Sequence, residues 1–116
     1  MFDTKFWEEI KTNSPKAYDE CRKYFNISNN YMNDWLCICY DDLETYFDGL
    51  GIEIFIEKYI NDKDNIYYLF QIHLNNMWQY SWPFRLQYKS DSRPEAKLEA
   101  VKKAFMIYED QLKGVK

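Results

Sequence analysis

Glycine and proline are scarce in this chain of 116 residues, with three of each. The glycines stand at 49, 51 and 114, so neither a glycine-rich loop that cradles phosphate nor a G-x-S-x-G nucleophile elbow can be present. Such a composition, with aromatics at 20%, also excludes a linker or a disordered tail and predicts one domain over residues 1–116 with a real core. Cysteine is limited to Cys21, Cys37 and Cys39, and histidine to His73. These four residues would just complete a zinc set, but no C-x-x-C knuckle exists, and on a helix Cys37 and Cys39 would point roughly 160° apart. Reduced thiols acting as small hydrophobes are expected instead of a metal site or a disulfide framework. No apolar run approaches the ~20 residues that span a bilayer, and Met1 to Glu9 lack the pattern of a signal peptide, so a cytoplasmic protein without membrane contact is expected. Positive charge is not in excess either. The net charge is -4, and the eight Lys or Arg against five Asp or Glu after residue 84 leave the rest acidic. A net negative chain repels phosphate backbones unless its basic residues gather on one face.

What the chain has in abundance is alternation. From Trp78 to Lys89, Trp78, Tyr80, Trp82, Phe84, Leu86 and Tyr88 alternate with polar residues and Pro83, which predicts a one-sided β-strand. Ile52, Ile54, Ile56 and Ile60 share one parity in an earlier run, as do Ile66, Tyr68, Phe70, Ile72 and Leu74 in a second. Short connections at Asn61 to Asn65 and Asn75 to Met77 join the three runs into an antiparallel meander. Because a slip of one residue would turn an apolar set to solvent, parity constrains the register, and the simplest pairing sets Phe70 opposite both Ile56 and Trp82, and Glu53 opposite His73. Pro83 cannot donate to a ladder, which suits a strand at the sheet margin.

Helices flank the meander. Phe6, Trp7 and Ile10 predict a short first helix ending near Asn13. Ser14-Pro15 then starts a second, to about Phe25, because proline at the first helical position lacks only a donor that would be orphaned there. Asn26 to Asn30 reads as a loop. Residues 33–50 are ambiguous: Trp35 to Tyr40 has strand composition, whereas Trp35, Cys39, Leu43, Phe47 and Leu50 step at helical intervals, and helix is favoured from Asp41 onward. Gly49 and Gly51 bracket its end. Ser92 and Glu95 stand at capping-box positions before a last helix whose stripe is Leu98, Val101, Phe105, Tyr108 and Leu112. The expected fold is α+β, a three-stranded antiparallel meander with helices packed on one face.

Few residues carry chemistry. Parity pairs His73 with Glu53, the kernel of an acid-base pair, but no nucleophile signature accompanies it, and surface cross-strand pairing is the favoured reading. Asp41, Asp42, Glu44 and Asp48 lack the spacing of a calcium loop and read as a solvated helix face. The odd-numbered sheet face places Phe55, Tyr59, Tyr67 and Leu69 among Glu53, Glu57, Gln71, His73, Gln79 and Arg85, and exposed aromatics there suit a protein contact or a homodimer better than base stacking in acidic surroundings.

Two family resemblances attach to these segments. The three strands followed by Ser92-Arg93-Pro94-Glu95-Ala96-Lys97 and Ala100-Val101-Lys102-Lys103-Ala104 resemble the end of a double-stranded RNA-binding domain, over about residues 33–112. The resemblance implies an α-β-β-β-α fold with both helices on one sheet face. In that family a lysine cluster at the start of the last helix grips phosphates, and a Gly-Pro-x-His motif follows the first strand; the corresponding places here hold Arg93 and Lys97 beside Glu95, and Asn61-Asp62-Lys63-Asp64-Asn65. The chain is also similar to small uncharacterised proteins of phages and prophages of anaerobic gut bacteria. The similar segments are Ser14 to Tyr18, Asp42 to Asp48 with Gly51-Ile52, Ser92 to Ala96, and Lys103 to Glu109. That resemblance implies a genomic setting and no mechanism. The expected function is therefore a non-catalytic interaction protein of a mobile element, with no cofactor, binding an unknown protein partner or dimerising. The alternative is a duplex-RNA module using Arg85, Lys89, Arg93 and Lys97.

Overall fold

A computed structural model describes residues 2–27, 32–60, 66–74, 85–90 and 93–114, without the side chains of Tyr59 and of residues 85–90. The chain is α+β, with helices and antiparallel β pairing. It divides into two compact units: Met1–Cys39 with Phe105–Lys116, and Tyr40–Ala104.

The first unit holds α1 (Thr4–Asn13), α2 (Pro15–Tyr24), α3 (Met32–Leu36) and the last turns of α5 (Arg93–Leu112). Asp3 caps α1, its Oδ1 accepting from the Phe6 N–H at 2.9 Å. Phe6, Trp7 and Ile10 are buried at the expected spacing. Trp7 is fully buried and organises the aromatic core: its ring centroid lies 4.4 Å from that of Trp35, and it meets Phe105 edge-on at 6.0 Å. Tyr18 stacks on Trp35 at 4.3 Å.

The start of α2 departs from the simple capping scheme. Ser14 is the N-cap residue and Pro15 begins the helix, yet the Ser14 side chain makes no capping bond. The buried carboxylate of Glu109 does that work instead, its Oε1 accepting from the Ala17 N–H at 2.8 Å across 92 residues of sequence. An anion suits this position, because the first N–H groups of a helix are unpaired and carry the positive end of its dipole. Lys113 Nζ lies 3.6 Å from the second carboxylate oxygen. At its other end α2 closes through Asn26, which adopts φ 56°. The Asn26 N–H donates to the Lys23 carbonyl at 3.2 Å and the Ile27 N–H to that of Arg22 at 3.0 Å. This paired closure needs a left-handed residue, and asparagine tolerates that better than other residues with a Cβ.

The ambiguous stretch resolves into two helices with a break between them. After α3 the chain leaves helical geometry at Cys37 to Cys39 and re-enters it in α4 (Tyr40–Gly49), so Cys39 is exposed despite its helical interval from Trp35. Gly51, at φ 80°, supplies the left-handed residue that turns the chain into the next strand.

In the second unit β1 (Ile52–Ile60) pairs antiparallel with β2 (Ile66–Leu74), and the register sets Glu53 opposite His73 and Ile56 opposite Phe70, as parity requires. Ile52, Ile54, Phe70 and Ile72 are buried, whereas the described odd-numbered side chains of β1 and β2 are half-buried or exposed. On its other side β2 pairs with β3 (Arg85–Ser90), and here the expected register is wrong: Phe70 faces Tyr88, not Trp82. Trp78 to Phe84, with Pro83, lie outside the described residues, as do both connections and the Ser92 cap.

α4 packs on β1. α5 buries Val101 and Phe105 of the expected stripe, together with Ala96, Ala100, Ala104 and Glu109, whereas Leu98 and Tyr108 are half-buried and Leu112 is exposed. The buried line thus keeps the centre of the stripe and widens onto alanines, whose small side chains leave little bulk there.

Because the Glu109 carboxylate is buried and satisfies a distant N–H, Glu109→Ala should destabilise the chain by about 1–3 kcal/mol. Glu109→Gln, which keeps an acceptor oxygen, should lose less. Thermal unfolding followed by circular dichroism decides the order, and equal or reversed losses would show that the bond contributes nothing.

Candidate functional site

A groove of about 550 Å³ runs through the second unit. α4 supplies Tyr40, Asp41, Glu44, Thr45 and Asp48; β1 supplies Glu53, Ile54, Phe55 and Ile56; the start of α5 supplies Arg93 and Lys97. Residues 41, 44, 45 and 48 are spaced three and four apart and so form one helix face. The four β1 residues are consecutive, hence of both parities, so β1 borders the groove along its backbone as well as by its side chains.

Charge in the groove is uneven. Asp41, Glu44, Asp48 and Glu53 bring carboxylates, while both cations sit near aromatic rings. Lys97 Nζ lies 4.6 Å from the Tyr40 ring centroid, and the Arg93 guanidinium 5.7 Å from that of Tyr68. Tyr40 is only 7% exposed. Burial above all, and then the charges of Glu44 and Asp41, push its phenol well above the usual range, with Arg93 opposing. Glu44 is close enough to exert this effect but does not meet hydrogen-bond geometry, so the Tyr40 hydroxyl is a buried polar group without a well-formed partner.

The odd face of the sheet holds the residues expected to make a protein contact. Phe55 is 42% exposed, and its ring lies 4.8 Å from that of His73. Tyr67 and Leu69 are half-buried, and Tyr59 stands opposite Tyr67 in the register. His73 Nε2 lies 3.2 Å from Gln71 Oε1, so the ring is held by a same-strand amide and by Phe55 while facing Glu53 across the ladder. The basic candidates fall in two places. Arg85 and Lys89 hold register positions opposite His73 and Leu69, whereas Arg93 and Lys97 line the groove beside carboxylates.

Sequence reasoning missed Tyr40 and Thr45; Asp41 and Asp48 are exposed and Glu44 half-buried, as a solvated face requires, but the groove that they line was not foreseen. Their common helix face was visible in the spacing; that it borders a strand was not. Among the described residues no group of three or more His, Cys, Asp or Glu side chains is placed to hold a metal ion, and no helix is long and apolar enough to cross a membrane. No protein-family model, curated protein or solved structure matches the chain.

The three thiols differ sharply. Cys21 is buried, which pushes its pKa far above that of a free thiol, while Cys37 and Cys39 are exposed. An alkylating reagent under native conditions should modify Cys37 and Cys39 and reach Cys21 only on unfolding. Peptide mapping by mass spectrometry reads this directly, and rapid native labelling of Cys21 would contradict the packing of α2.

Proposed function

We propose that this chain is a non-catalytic interaction protein that binds a protein partner, or a second copy of itself, through the odd-numbered face of its sheet. The observation that carries the reading is Phe55, exposed on the face opposite the buried Ile54 and Ile72, with half-buried Tyr67 and Leu69 on the neighbouring strand. A monomer gains nothing from aromatic area left in water, and such area is what contact surfaces use. In the finer reading the fold is a three-stranded meander with helices on one face, arranged as in double-stranded RNA-binding domains. On the same reading the chain belongs to a phage or other mobile element and acts in the cytoplasm, a setting that rests on the resemblance of its segments to phage and prophage proteins.

Duplex RNA is the less favoured partner. Arg93 and Lys97 share their groove with four carboxylates, which oppose a phosphate backbone.

Placing a photo-crosslinking amino acid at position 55, with position 5 on α1 as the control, separates these readings. Protein adducts, or dimers of the chain, should form from position 55 and not from position 5. Phe55→Glu should weaken the same association by about 2 kcal/mol, the scale of an interface hot spot. Crosslinks to RNA alone, or equal protein adducts from both positions, would overturn the proposal.

A further inference from the structure

We infer that the groove between α4 and the outer edge of β1 receives an extended, lysine- or arginine-rich segment of a partner protein, which adds to the sheet as a strand beside β1. The inference rests on reading β1 as the interaction strand, but it concerns the strand's edge and not its face.

Four observations converge on it. Among the described residues β1 pairs with β2 alone, so one edge of a nine-residue strand has no strand partner. Such an edge offers alternate N–H and C=O groups to an incoming backbone. β1 borders the groove over four consecutive residues, Glu53 to Ile56, so both parities of the strand are within reach of an occupant. Its charge sets the partner's chemistry: carboxylates at Asp41, Glu44, Asp48 and Glu53 outnumber Arg93 and Lys97, and the two cations already lie near tyrosine rings. Finally, the Tyr40 hydroxyl lines the groove, is nine-tenths buried and has no hydrogen-bond partner of good geometry, so a polar group of the ligand would satisfy it.

The dimensions agree. From Asp41 to Asp48 a helix rises about 10 Å at ~1.5 Å per residue. Alternate residues of a strand stand about 6.7 Å apart on one face. Two or three cations at every second position therefore span the acidic face of α4. A second copy of this chain would have to supply such a segment, and none of its three apolar strand runs alternates with cations throughout.

The probe is a fluorescent peptide of about seven residues alternating Lys and Val, titrated by anisotropy against the full chain. Three comparison probes accompany it: the same peptide N-methylated at alternate residues, its Glu-Val counterpart, and a short RNA duplex. The Lys-Val peptide should bind and should slow amide hydrogen exchange at Glu53 to Ile56. The triple variant Asp41→Asn, Glu44→Gln, Asp48→Asn should weaken it about tenfold, as should N-methylation on the pairing edge. Tyr40→Phe should also weaken binding without lowering the melting temperature, since it removes a hydroxyl without a well-formed partner. Equal binding of the N-methylated peptide, preference for the Glu-Val peptide or RNA, or no binding by a correctly folded chain would overturn the inference. Crosslinking at Phe55 can fail while this titration succeeds, so the face and edge readings fall separately.

Discussion

The period-two burial of β1 and β2 is the constraint on which the second unit depends. Ile52, Ile54, Phe70 and Ile72 are buried on one face, and every odd-numbered neighbour is thereby sent to the other. Shifting the pairing by one residue would expose four large apolar side chains, each contributing roughly 1.5–3 kcal/mol when buried. The register is thus fixed by the core, and the outward positions of Phe55, Leu69 and His73 are its consequence. The candidate surface needs no stabilisation of its own, because the buried face already determines where its side chains stand.

The first unit solves a different problem, that of closing short helices without long runs of favourable sequence. Helices of ten residues are marginal alone, and their ends are where backbone groups remain unpaired. α1 uses a local cap, Asp3, whereas α2 draws its acceptor from Glu109, far away in the chain. The second solution ties the start of α2 to the end of α5 through one buried, charge-assisted bond. It also explains why Ser14 occupies the N-cap position without a capping bond: the N–H that a cap serine would meet is taken.

Parity made the β1–β2 pairing legible down to individual partners, since strands with one apolar face admit few registers. The Ser14-Pro15 start was legible for the same kind of reason, a local steric rule. What could not be read depends on neighbours distant in sequence. The break at Cys37 to Cys39 interrupts a spacing that is helical on paper, and of the α5 stripe Val101 and Phe105 are buried while the rest of the buried line is made of alanines and Glu109. Glu109 stands four residues after Phe105 on that line, but a carboxylate there looks misplaced until Ala17 is seen beside it. The pairing of Phe70 with Tyr88 moves the expected partner by six residues within one parity, a shift that alternation alone cannot detect.

The acidic face of α4 bears directly on the inferred ligand. Asp41, Glu44 and Asp48 stand three and four residues apart, where like charges on a helix cost about 0.2–0.5 kcal/mol per pair. Lys97 and Arg93, the groove's own cations, lie near Tyr40 and Tyr68, contacts of roughly 0.5–1 kcal/mol at exposed sites. The negative potential beside β1 is therefore only partly offset from within the groove. A cation brought in from outside relieves the repulsion within α4 and gains its own attraction at once, whereas an anion meets four carboxylates before reaching either basic residue. The same asymmetry that disfavours a phosphate backbone makes an extended cationic chain the complementary ligand, with the strand edge supplying the direction along which it would lie.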